Sequence, residues 1–153
     1  MPREILAQYS MEDILPLIVS GAPRHVFDTP HGSFPIRMSS ARLLVLKENQ
    51  TCIWCGITGD HFKLIRHIHN CYDVGLYMYS SNKQLMTVDH CIPRARLDVK
   101  CGSLDDVMVN LATLCYTCNQ KKGHLLPLNF VLKMTGWPVH GVYDHNHVYN
   151  RRR

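Results

Sequence analysis

No apolar run in the chain approaches the roughly 20 residues that a membrane-spanning helix requires. The longest, at residues 14–19 and 43–46, have the size of ordinary core segments. The opening Met1-Pro2-Arg3-Glu4 lacks the charged stretch, apolar run and small-residue cleavage site of a secretory signal, so a cytoplasmic, reducing setting is expected. There is no polar tract long enough to argue for disorder and no internal repeat; 46% hydrophobic and 19% charged residues is a globular balance. A chain of 153 residues suits one domain and leaves little room for two. Neither sign of charge dominates strongly. A net charge of +5 fits a polyanionic partner without establishing one.

An even cysteine count is also missing. Seven cysteines in a reducing compartment, some in close pairs, point to metal binding rather than to a disulfide framework.

Along the chain, Ser10 precedes Met11, Ile14, Leu15 and Ile18 at helical spacing, with Glu12 and Asp13 in the first turn. This predicts a short capped helix, shortened or kinked at Pro16. Residues 21–35 carry Pro23, Pro30, Gly32 and Pro35 among polar residues and read as a connecting arm able to lie across a partner. Ser39 or Ser40 caps a second helix through Ala41, Leu43, Leu44, Leu46 and Lys47, ending at Glu48-Asn49. Residues 75–79 and 85–88 are compatible with short strands. After Cys118 a short helix carries Gln120, Lys121 and Lys122 and stops at Gly123, and residues 128–134 predict another, ended by Gly136 and Pro138. The expected organisation is residues 1–50 as N-terminal helices and arm, 51–136 as a zinc-stabilised core and 137–153 as a tail.

The strongest signal is a pair of CxxC knuckles, Cys52-Ile53-Trp54-Cys55 and Cys115-Tyr116-Thr117-Cys118. Each spacing lets both thiolates reach one ion, and four sulfurs make a closed, tetrahedral structural zinc site. About 60 residues separate the knuckles, far more than the 15 to 20 of a simple zinc ribbon, so something is inserted between them.

That insertion contains Thr87-Val88-Asp89-His90-Cys91-Ile92-Pro93, then Asn110-Leu111 leading to the second knuckle, which continues as Asn119-Gln120-Lys121-Lys122-Gly123. In these features, over residues 52–123, the chain resembles the HNH endonuclease family. The resemblance implies an α+β fold with a ββα-metal (HNH, His-Me finger) core, a four-cysteine zinc site and flanking helices. It also implies DNA as partner and hydrolysis of phosphodiester bonds. Carried over by motif, His90 is the general base, Asp89 and Asn119 hold one catalytic divalent ion, Mg²⁺ or Mn²⁺, and Asn110 orients the hairpin and His90. Asn119 stands where the family often has its last histidine, and a neutral amide oxygen is a weaker ligand, so modest metal affinity is expected.

The chemistry has reasons of its own. Phosphodiester hydrolysis needs an activated water, stabilised phosphoryl oxygens and help for the leaving oxygen. A neutral imidazole suits the first task at physiological pH. A hard cation held by one or two protein oxygens keeps positions open for substrate. Adjacent strand residues point to opposite faces, so Asp89 and His90 serve one site only where the strand ends or distorts. Arg94, Arg96, Lys121 and Lys122 are the candidate phosphate contacts. His61, His67, His69 and Cys71 match no standard ligand spacing, and His145-Asn146-His147 spells the motif without its strand context. Trp54 and Tyr116 are expected to pack around the zinc, and Cys91 and Cys101 to be free thiols. The competing reading is a non-catalytic zinc module that binds nucleic acid or protein.

Overall fold

The computed structural model describes residues 3–67, 70–91 and 110–123. The helix expected over 128–134, together with Arg94, Arg96, His69, Cys101 and residues 145–147, lies outside them.

Phe62 and Leu64 alternate with Lys63 along strand β4 (His61–His67), so one side of the strand is apolar and buried. It forms the middle of a three-stranded antiparallel sheet, between β1 (Arg3–Ser10) and β5 (Asn70–Tyr79). Tyr9 lies opposite Phe62, and Phe62 opposite Met78. At the N-terminal edge Arg66 ties the sheet to Glu4, with its Nε 2.9 Å from Glu4 Oε2.

Ser10 ends β1 and caps the first helix, α1 (Met11–Ile14), as the sequence predicts. Its hydroxyl accepts from the Asp13 N–H while the Asp13 carboxylate accepts from the Ser10 backbone, a reciprocal capping box. Pro16 then tightens the chain into a 3-10 turn, Leu15–Leu17, and Ile14 and Ile18 drop into the core.

The expected arm at residues 21–35 is instead a hairpin of β2 (Arg24–Thr29) and β3 (Gly32–Arg37). Pro35 is tolerated because β3 belongs to a two-stranded ribbon, where one side of each strand owes no ladder bond. Thr29 organises the turn: its hydroxyl donates to the Gly32 carbonyl and accepts from the His31 N–H, both at 3.1 Å. Buried Phe27, with Tyr9 packed on its ring, joins the hairpin to the core.

Helix α2 (Ala41–Glu48) is capped by Ser40 and buries Leu43, Val45 and Leu46. It packs against a second hairpin, β6 (Met86–His90) and β7 (Leu111–Cys115), which continues directly into α3 (Tyr116–Lys122). The fold is therefore α+β, with a ββα unit of β6, β7 and α3 resting on α2 and on the end of β5. One hydrophobic cluster runs through all of it, from Leu6 and Ile14 to Met86, Leu114 and Cys118.

Gly59 shows how tightly the two sheets meet. A Cβ added there would stand 2.6 Å from Met78 Cγ and 3.0 Å from Met86 Cγ, both side chains being buried. Overpacking of this kind costs about 1–3 kcal/mol. Gly59→Ala should lower the unfolding free energy of the zinc-loaded protein by that amount, as read from a urea titration; an unchanged midpoint would show that the methionines yield freely.

Candidate active site and metal centre

The first knuckle is shaped by its own backbone. The Cys52 N–H donates to Ile57 O at 2.8 Å and Gly56 N–H to Cys52 O at 2.9 Å. Gly56 takes φ +74°, a left-handed turn that favours glycine. The neck is pinned by the Thr51 and Thr58 hydroxyls, 3.0 Å apart. Ile53 N–H reaches Thr113 O at 3.1 Å and Thr113 Oγ1 donates to Asn49 O at 2.6 Å, so the knuckle is laced to β7.

The second knuckle begins where β7 becomes α3. Cys115 is both the last residue of the strand and the N-cap of the helix, its sulfur accepting from the Cys118 N–H at 3.4 Å. The fold then brings all four predicted sulfurs together: Cys52, Cys55, Cys115 and Cys118 lie within 4.8 Å of one another, with only Cys55 exposed. The Cys55 and Cys115 sulfurs are 3.7 Å apart. Zinc–sulfur bonds of about 2.3 Å in a tetrahedron require sulfurs about 3.8 Å apart, so the set is compatible with zinc. Burial and crowding by neighbouring thiols push the Cys118 thiol far above its ordinary range. Burial likewise raises Cys55, whereas backbone N–H groups outweigh burial at Cys52 and bring it down. Four thiols so placed favour exchanging protons for a metal ion. Among the described residues this is the one such cluster.

The helix that carries the second knuckle also carries the second constellation. Asn119 and Lys122, one turn apart on α3, lie over Thr87 and Asp89, two apart on β6. Thr87 Oγ1 donates to Leu114 O at 2.9 Å, which commits its one proton. It must therefore accept from Asn119, whose Nδ2 stands 3.0 Å away, and this orients the amide with Oδ1 away from Thr87. Lys122 Nζ is 2.7 Å from Asp89 Oδ2. Lys122 is deeply buried, so the ammonium expected at the DNA backbone is instead paired with Asp89 inside the protein.

His90 is the half-buried last residue of β6, opposite Leu111, and the pleat sends its side chain to the face opposite Asp89. Asn110 sits just before β7, its carbonyl accepting from the Cys91 N–H at 2.8 Å, so it closes the hairpin beside His90. Lys121 is exposed on α3. His61 and His67 on β4 have other partners: His61 contacts the Asp60 carboxylate, and His67 Nε2 is 3.1 Å from the Tyr77 hydroxyl. The sequence reading missed Thr87 and the internal role of Lys122, whose only signal is the matching step of 119/122 with 87/89.

Comparison with known proteins adds one finding: residues 52–125 match a family model described as HNH endonuclease. No curated protein and no solved structure matches the chain.

Proposed function

We propose that the chain, whose residues 52–125 match the HNH endonuclease family model, is a metal-dependent endonuclease acting on DNA, with a structural zinc ion on Cys52, Cys55, Cys115 and Cys118. The observation that carries this reading is the placement of Asp89, on β6, and Asn119, on α3, on one face of the ββα unit, with α3 starting at Cys115 and containing Cys118 of the four-cysteine cluster. The Asp89 Oδ1 and Asn119 Oδ1 atoms are the oxygens proposed to hold a single Mg²⁺ or Mn²⁺, which when bound supplies positive charge to the phosphoryl and leaving oxygens. Thr87 engages the Asn119 amide nitrogen, which leaves Oδ1 as the atom that would hold the ion. His90 is proposed to remove a proton from the attacking water through a ring nitrogen, a role that requires its imidazole, which the pleat sends to the face opposite Asp89, to turn toward the Asp89 face at the end of β6. Asn110 keeps that end of the hairpin closed, and exposed Lys121 contacts a backbone phosphate, with Arg94 and Arg96 proposed beside it.

Zinc-loaded protein incubated with supercoiled plasmid should convert it to relaxed or linear forms with Mg²⁺ or Mn²⁺ and leave it intact with a chelator of the divalent ion. Plasmid bound but uncut with every divalent ion would favour a non-catalytic zinc module instead.

A further inference from the structure

Lysine is almost never fully buried unless paired, yet the Lys122 side chain is 2% exposed with its ammonium on the Oδ2 of Asp89, while Asp89 remains 28% exposed. One carboxylate oxygen thus faces an internal cation, and among the described residues no hydrogen bond engages the other. The ammonium cannot easily withdraw. Lys122 ends α3, a helix begun by the Cys115 cap and closed at Gly123, whose N–H donates to Asn119 O at 3.0 Å. Near the helix C-terminus a cation is also favoured by the backbone dipoles.

We propose that Lys122 is a resident cation of the catalytic metal site, which keeps Asp89 a one-oxygen ligand and holds divalent-ion affinity low. This rests on the reading of Asp89 as a metal ligand. The physical cause is repulsion between a fixed ammonium and a dication sharing one carboxylate, weakly screened because the ammonium is buried. Occupation of Oδ2 also removes the bidentate mode that would otherwise be open to the carboxylate. A site so restrained leaves more of the ion's coordination positions to substrate oxygens, so tight binding of the metal waits for DNA to supply further ligands.

The test is Mn²⁺ binding to zinc-loaded protein without DNA, read from the electron-paramagnetic signal of free Mn²⁺, with zinc counted in every sample. Lys122→Met keeps the length of the side chain and removes its charge; it should tighten Mn²⁺ binding about tenfold or more, whereas Lys122→Arg should stay near wild type. Mere damage to the fold would loosen binding, so the direction separates the two causes. Where Lys122→Met fails to retain zinc, Lys122→Gln should show the same tightening. Unchanged or weaker binding in the neutral variants, with Asp89→Ala still abolishing the wild-type site, would overturn the role of Lys122 alone. Mn²⁺ binding that survives Asp89→Ala, or is absent from wild type and Lys122 variants alike, would overturn the metal-ligand reading beneath it.

Discussion

Replacing Cys118 or Cys115 by Ser should leave a protein that neither holds zinc nor melts cooperatively near the wild-type temperature. Structural zinc contributes on the order of 10–16 kcal/mol in small zinc domains, comparable with the roughly 5–15 kcal/mol that separates a folded domain from its unfolded chain. Here the dependence is reinforced by geometry, because Cys115 terminates β7, caps α3 and shares the cluster with a knuckle laced to the same strand. Loss of the ion would release α3 and, with it, Asn119 and Lys122 from β6. Elemental analysis should find about one zinc per wild-type chain, and the thermal midpoint of the variants should fall by about 10 °C or more. A folded, zinc-free variant with the wild-type midpoint would refute the site. Acid should weaken zinc binding in the intact protein. Burial holds the Cys118 and Cys55 thiols above their ordinary range, so both are protonated near neutral pH and each proton must leave when zinc enters. At least two protons displaced imply an affinity falling about a hundredfold or more per pH unit, measurable with a competing chelator between pH 8 and 6.

The four-cysteine cluster was legible because ligand spacing is a local property of the chain: two CxxC pairs need no knowledge of the fold to be recognised. The same holds for α2 and α3, announced by Ser40 and Gly123 at their ends. Strands β1 and β4 were missed because their partners are distant; Ile5 is defined as a strand residue by Ile65, and nothing within its own octapeptide says so. The hairpin at residues 24–37 was hidden by its prolines, which mark loops on average and are harmless on an unpaired strand side. For the candidate site, the identity of Asp89, His90, Asn110 and Asn119 could be read from the motif, but not the direction in which each points. Lys122 is the clearest example. In sequence it is one of two adjacent basic residues suited to a phosphate, and only the packing of α3 over β6 buries one and exposes the other.

Replacing His90 by Ala should reduce metal-dependent plasmid cleavage about 10²- to 10⁴-fold, the usual consequence of removing a general base, while zinc content, thermal midpoint and DNA affinity stay close to wild type. The separation is expected because, among the described residues, β6 is held at this end by backbone pairing. The strand's register runs from Met86–Cys115 to His90–Leu111, and the hairpin end is closed beyond it by the backbone bond from Cys91 to Asn110. Truncation at Cβ leaves every one of those contacts in place. Asp89→Ala should be equally inactive at low metal concentration, but for a different reason: it removes a ligand rather than the base. Millimolar Mn²⁺ should therefore restore part of the Asp89→Ala activity and none of the His90→Ala activity. Single-turnover rates measured across a Mn²⁺ titration distinguish the two, because loss of a ligand moves the metal dependence while loss of the base lowers the plateau. Cleavage by His90→Ala at the wild-type plateau would remove His90 from the mechanism and leave the attacking water to be activated by another group.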